Sequence, residues 1–385
     1  MLRYKRFGFY CLHAGILCIC IAMFGACKKE DHAEQPATRN HYELINTGSV
    51  WDMSTQTYRP CYWLNEEIHW LELPEAKNGF AYGLQLDKSN MYIAGSFENA
   101  EGQTLPCYWK NNEKINLPTS NLFPFTFCTT KDIIVRNHTT YILGSADWIP
   151  VLWIIDAQGG IKHMYVDSSF VTQNIRSRSA TFEMAGGKLY IGGDKRIKVN
   201  RRYESQVGYW TIDAALHTNW HIVEDHLAYA TAFNLVIANE KIFITGERSI
   251  DFGGATFPTP ALWNSAGNIP LSGLDNLAAY RFGEVHTDRQ GNLLLNVFDF
   301  MTHKALILSL SRQGEVLKRI EPIIPGDRSY CSSIAVNNDS TAFVGYTINN
   351  SGYSVWSYSG NKLTSLQTPP NGGVIIASAE WKKLP

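Results

Sequence analysis

Charge is scarce in this chain. Only 18% of its 385 residues are Asp, Glu, Lys or Arg, below the roughly 25% of an average soluble protein. Those charges nearly cancel, to a formal net of −1, so no strong electrostatic pull toward nucleic acid or an anionic membrane surface is expected. The composition, 45% hydrophobic and 12% aromatic, excludes a disordered chain. Long amphipathic helical periodicity is missing as well. So are a CxxC or Cys/His metal spacing, a GxSxG elbow, a P-loop and an HExxH pair, and no metal or cofactor is expected. At this length one simple core is excluded, which leaves several domains or a closed array of modules.

The first residues read as an address rather than as fold. Arg3, Lys5 and Arg6 precede an apolar run from Phe7 to Phe24, and Gly25 and Ala26 then precede Cys27. That layout suits a cleaved export signal better than a spanning helix. Residues 28–41 are polar and without periodicity, as in a flexible tether. Phe24-Gly25-Ala26-Cys27 resembles the lipobox of bacterial lipoproteins, with Phe24 where the usual Leu stands. The resemblance implies lipidation of the Cys27 sulfur and a membrane anchor. Lys28-Lys29-Glu30-Asp31 looks like the short charged signal that carries Bacteroidetes lipoproteins to the cell surface. The expected organisation is a signal over 1–26, a lipidated Cys and tether over 27–41, and a folded body over 42–385 held at the outer membrane. Cys61, Cys107, Cys128 and Cys331 remain in that body. Two disulfides are conceivable in an oxidising envelope, but the apolar strand patterns around all four favour free buried thiols.

The body repeats. Pro60-Cys61-Tyr62-Trp63 returns as Pro106-Cys107-Tyr108-Trp109, with weaker copies ending at Trp153, Trp210, Trp263, Leu308 and Trp356. Ahead of most copies runs a short apolar segment ending in Gly, such as Tyr92-Ile93-Ala94-Gly95 or Tyr141-Ile142-Leu143-Gly144. A turn cluster and a further strand-like run precede it, and a polar turn and a fourth short strand follow the Trp. Four short strands per repeat, seven times, predict a seven-bladed β-propeller of four-stranded antiparallel blades. The first repeat lacks its innermost strand. The run Val374-Ile375-Ile376-Ala377-Ser378-Ala379 is expected to supply it and close the ring. The recurring Trp residues are expected to pack between blades. The phrases Tyr92-Ile93-Ala94-Gly95 and Cys107-Tyr108-Trp109-Lys110-Asn111-Asn112 resemble a repeat of uncharacterised Bacteroidetes lipoproteins, which implies a propeller-like lipoprotein and brings no catalytic residues with it. Asp339-Ser340-Thr341 matches the short O-glycosylation motif of the same bacteria.

No catalytic residues are assigned. A glycosidase needs two carboxylates at a fixed separation. Glu224, Asp225, Glu284, Asp288 and Asp327 are candidates, read first as turn formers or solvated surface. Function is sought in loops on the rigid scaffold. Three connections between second and third strands are long, 96–106, 194–207 and 247–260. The second holds Lys195, Arg196, Lys198, Arg201 and Arg202, five cations that suit an anionic glycan, a phosphate or an acidic partner. Links between blades add Arg176, Arg178, Tyr229, Arg281, Asp327, Arg328 and Tyr330 on the same face. The expectation is a non-enzymatic binding or scaffold protein of the cell envelope, its partner a glycan or an envelope protein. The alternative is a carbohydrate-active enzyme, hydrolase or lyase, with its site on the propeller axis.

Overall fold

The computed structural model describes residues 42–383, apart from 75–76, 123, 170–174, 200–201, 253–254, 325, 338–340, 350–351, 361 and 369–372. Within it, 28 strands form seven four-stranded antiparallel sheets, with a 3-10 turn at Leu277–Ala279 ahead of blade 6. Blade 1 spans 42–70, blade 2 79–116, blade 3 128–165, blade 4 176–227, blade 5 230–269, blade 6 280–320 and blade 7 328–366. The innermost strand of blade 1 is Val374–Lys383, paired with Tyr42–Asp52 from Tyr42↔Lys383 to Val50↔Val374. The last described strand therefore pairs with the first inside one sheet, as the sequence predicts.

Seven apolar clusters hold the body together, and each is shared by two neighbouring blades. Val50 and Trp63 of blade 1 pack with Val344 and Val355 of blade 7, closing the circle. Between blades 1 and 2, Ile45 and Leu71 meet Ile93 and Trp109. A lone blade leaves such faces in water, so the modules stabilise only as a ring. The hairpin turns have residues with positive φ in pairs, among them Asn111-Asn112, Asn137-His138 and Gly186-Gly187, the conformation that follows the twist of antiparallel strands.

The Trp motif is a clip between blades. Trp63, Trp109, Trp153, Trp210 and Trp263 are buried and occupy one register position on the third strand, each facing the residue two before a glycine or its equivalent. Trp109 donates its indole N–H to the Glu72 carbonyl after blade 1 at 2.7 Å, and Trp153 to the Pro118 carbonyl after blade 2 at 2.9 Å. Trp63 reaches the Gln367 carbonyl after blade 7 at 2.7 Å. Burying an indole is worth about 4–6 kcal/mol as an upper estimate from its area. The glycine is demanded by the same ring: a Cβ on Gly95 would collide with Trp109 and with the Phe80 carbonyl.

Two readings of the repeat change. In blade 7 the Trp site holds Tyr358, opposite Phe343, while Trp356 stands two residues earlier, opposite Gly345. Its indole N–H has no hydrogen-bond partner, since the offset removes it from the neighbouring carbonyl. The three long loops are extended hairpins. Strands continue through Val199 and resume at Arg202 in blade 4, and similar pairings prolong 96–98 with 104–106 and 247–252 with 255–260. Arg-Ile-Lys-Val alternation is strand chemistry, and it continues the ladder instead of ending it. The four body cysteines are free, and burial pushes the Cys128 thiol up to about 12.

Candidate functional site

Every innermost strand carries a bulge at the same level. Register slips fall between Ala81 and Leu84, Thr130 and Asp132, Ser179 and Phe182, Ala232 and Asn234, Phe282 and Val285, and Cys331 and Ser333, and at Ala377 in the closing strand. A bulge twists a strand and re-aims its side chains. Just past it, Ser378, Gly83, Asp132, Thr181, Asn234, Glu284 and Ser333 occupy equivalent positions in blades 1 to 7. Two residues on lie Glu380, Gln85, Ile134, Glu183, Val236, His286 and Ala335. Nearly all of these line one axial cavity of about 330 Å³, in the half of the ring toward which the inner strands run. That volume is at the lower end of ligand sites, about 300–1,000 Å³.

Three of its four carboxylates are tied into the scaffold. Glu380 of blade 1 accepts the Leu86 amide of blade 2 at 2.6 Å and the Gln85 side-chain amide at 3.0 Å. Asp132 of blade 3 accepts the amides of Ile133 and, in blade 4, Phe182. Glu284 of blade 6 accepts the Ile334 amide of blade 7 at 3.1 Å. The Thr181 hydroxyl does the same for Leu235 of blade 5 at 2.8 Å. A buried amide without an acceptor is costly, so these side chains complete the inner strands where blades meet. Glu183 differs: among the described residues no hydrogen bond holds its carboxyl, which faces the cavity near His286, Asp132 and Arg136.

The cavity is poised near neutral pH. Burial pushes Asp132, Glu183 and Glu380 each up to about 7, against the pull of nearby amides or cations. Lys131, a bulge residue that donates to the Ser179 carbonyl, is exposed in part, yet desolvation by the protein crowded around its ammonium lowers it to about 8. His286 lies 3.5 Å from Glu284. Among the described residues no three His, Cys, Asp or Glu side chains converge in a way that could hold a metal ion.

The sequence candidates scatter. Of the carboxylates, Glu284 lies on the axis. Glu224 binds Arg248 at 2.7 Å and the Trp263 indole. Asp225 pairs with His226 at 3.8 Å, Asp288 accepts amides of its own turn, and Asp327 is exposed on a link. The five cations divide. Lys195 is turned inward, 3.1 Å from buried Asp167 and 5.0 Å from the Trp220 ring. Arg196, Lys198 and Arg202 are exposed on the hairpin, beside Arg176, and Arg196 lies over Tyr203 at 5.0 Å. This hairpin projects at the end where the inner strands begin, opposite the axial cavity. Arg201, Cys27 and the Asp339-Ser340 part of the glycosylation motif lie outside the described residues. The axial layer is what sequence reasoning missed. Its signal is a fixed interval: Asp132, Thr181 and Asn234 each stand twelve residues ahead of the recurrent Gly144, Gly193 and Gly246.

No protein-family profile matches the chain, and no curated protein matches it. Among solved structures it is similar to a puromycin-hydrolyzing peptidase of Mycobacterium tuberculosis, at 10% identity and a TM-score of 0.52. That match covers 82% of this chain and only 51% of the peptidase. A protein from Lactobacillus plantarum aligns at 12% identity and a TM-score of 0.50, over 89% of this chain and all of the other. A putative 6-phosphogluconolactonase of Bacteroides fragilis gives 12% and 0.48, over 90% and 99%. At such identities the likeness is one of fold: the chain is a seven-bladed β-propeller.

Proposed function

We propose that this is a lipid-anchored protein of the bacterial outer membrane, tethered through Cys27, whose propeller binds a small polyhydroxylated ligand, a saccharide unit, in the axial cavity without transforming it. The observation that carries the reading is the commitment of Asp132, Glu284 and Glu380 to backbone amides. Acid–base cleavage of a glycosidic bond needs two carboxyl groups free to face the bond, and among the described residues of the cavity Glu183 alone is free. A polar layer on a rigid ring, with acceptors and donors already oriented, suits recognition of hydroxyl groups. The exposed Arg196, Lys198 and Arg202 on the other face offer a separate surface to an acidic glycan or envelope partner.

One observation favours the second reading, a carbohydrate-active enzyme. Glu183 is a carboxyl raised to about 7 beside His286, as a general acid would be. Calorimetric titration with neutral mono- and disaccharides, paired with an assay for their cleavage, separates the two. Binding that weakens in Glu183→Gln, with no cleavage by either protein, supports the binding role. Cleavage abolished by Glu183→Gln would replace it with the enzyme. Labelled palmitate should enter the wild type and not Cys27→Ala, and equal labelling of both would remove the anchor.

A further inference from the structure

A second cavity, about 310 Å³, opens where the inner strands of blades 5, 6 and 7 begin, and it shares no lining residue with the axial site beyond the bulges. Phe233, Arg281, Asn296, Phe298, Tyr330 and Tyr346 line it. The aromatic rings form a ladder. Phe298 and Tyr330 stack at 4.5 Å with 9° between planes, Tyr330 and Tyr346 at 5.0 Å and 20°, and Tyr353 continues the row at 6.0 Å. The rings of the stack cover one another's faces and leave their edges open, and ring edges carry the positive part of the quadrupole. Arg281, 57% exposed at its side chain, lies 5.4 Å from the Phe233 centroid and 3.2 Å from Glu247. The cleft therefore favours oxygen-rich or anionic groups and disfavours a cation.

Asn296 narrows the choice. It is 2% exposed, and its Oδ1 has no hydrogen-bond partner, while its side chain also bonds the Cys331 thiol. The equivalent residue is Ala94, Leu143 or Gly192 in blades 2 to 4, so the fold does not require an amide there. An unpaired buried carbonyl is costly; this one packs over Gly283 in the cleft wall, and a ligand donor that draws the amide toward the cleft removes that cost. A phosphate monoester dianion has no donor for Asn296 on its anionic group and brings two negative charges to one guanidinium already shared with Glu247. An apolar ligand would strand both polar groups.

We propose that this cleft binds an acidic sugar, a hexuronate unit of a glycan, with its carboxylate on Arg281 and a hydroxyl donating to Asn296 Oδ1. The site is distinct from the axial cavity, and its test does not depend on the axial reading. The full chain is titrated calorimetrically with galacturonate, trigalacturonate and galactose. Galacturonate should bind about tenfold or more tightly than galactose, the worth of one charge-assisted contact. Arg281→Gln should weaken galacturonate about tenfold, and Arg281→Lys, which keeps a cation beside half-buried Glu247, should bind between the two and melt with the wild type. Asn296→Leu should abolish binding while holding or raising the melting temperature, since it deletes the unpaired oxygen. Trigalacturonate binding more tightly than the monomer identifies a glycan, and equal affinity a free sugar acid. Equal binding of galacturonate and galactose, no binding of galacturonate, or an unaffected Arg281→Gln would overturn the proposal.

Discussion

Blades 1 to 5 and blades 6 and 7 solve the same packing problem differently. The first five set a Trp on the third strand against a backbone that passes close to it, at Gly95, Gly144, Gly193 and Gly246 in blades 2 to 5. Blade 6 exchanges both partners, Val297 for the glycine and Leu308 for the Trp, and buries them within 2% exposure. Volume is conserved across the pair, the substitution that close-packed interiors tolerate best. Blade 7 keeps Gly345 and moves its Trp by two residues. The position after the glycine also changes, from Ser49, Ser96, Ser145, Asp194 and Glu247 to Phe298 and Tyr346. The aromatic cleft opens at these two irregular copies. Where the repeat is regular, side chains serve the ring, and where it departs, they are free to form a site.

The largest expected effect asks whether the two groups of blades are one cooperative unit. Deleting residues 374–385 removes the inner strand of blade 1, with Val374, Ile376 and Ala379 from its core and the Trp381 indole bonded to the Ala335 carbonyl of blade 7 at 3.1 Å. The whole body should then lose its single sharp calorimetric transition, because no blade buries its own faces. Melting in two steps would split the irregular blades from the regular ones. A wild-type melt would show that the strand closes nothing.

Next in size is the exchange inside blade 6. Leu308→Trp alone should cost about 1–3 kcal/mol by overpacking against Val297. Adding Val297→Gly should recover much of that loss, with a coupling of about 1–2 kcal/mol in a double-mutant cycle. Urea unfolding of the four proteins measures it. Purely additive costs would mean that the two positions are not a complementary pair.

The blade count, the four strands and the closing segment were legible in the sequence because period and turn chemistry are local. So was the packing role of Trp63, Trp109 and Trp153, whose spacing repeats. Blade 7 misled because Trp356 keeps the sequence interval while its pairing is shifted, and register is a tertiary property. The axial site stayed hidden for a related reason. Asp132 and Glu284 read as ordinary polar residues in strands, and only the bulges, set by contacts between blades, aim them at the axis. The long hairpin reads as a loop in the sequence because its cations outweigh its alternation.

A smaller effect separates the axial carboxylates. A buried carboxyl raised to about 7, as in Glu183, favours the protonated fold. Its contribution is full below the ordinary carboxylate range and is lost as pH rises through about 7. Asp132 and Glu380 act in the same direction. The wild type should therefore be more stable at about pH 5 than at about pH 8 as far as these groups decide it. Glu183→Gln should flatten that slope, gaining about 1 kcal/mol at the higher pH and little at the lower. Chemical unfolding across the range reads the difference. Parallel curves would place the Glu183 carboxyl in bulk-like water.

The smallest effect concerns blade 4, the regular blade with the longest hairpin. Its cations are of two kinds, and the distinction decides which are changed. Lys195 offsets buried Asp167, so its removal would strand a charge and confuse binding with folding. Arg196, Lys198 and Arg202 are exposed, and among the described residues none is within ion-pair distance of a carboxylate. Changing these three to Gln should move stability by less than about 0.5 kcal/mol. Binding to an acidic glycan such as heparin, used as the probe, should fall, and most at low salt, where exposed charges are least screened. An unchanged salt-dependent profile, with unchanged melting, would reduce the hairpin to a solvated edge and leave blades 6 and 7 as the part of that face where a ligand is to be sought.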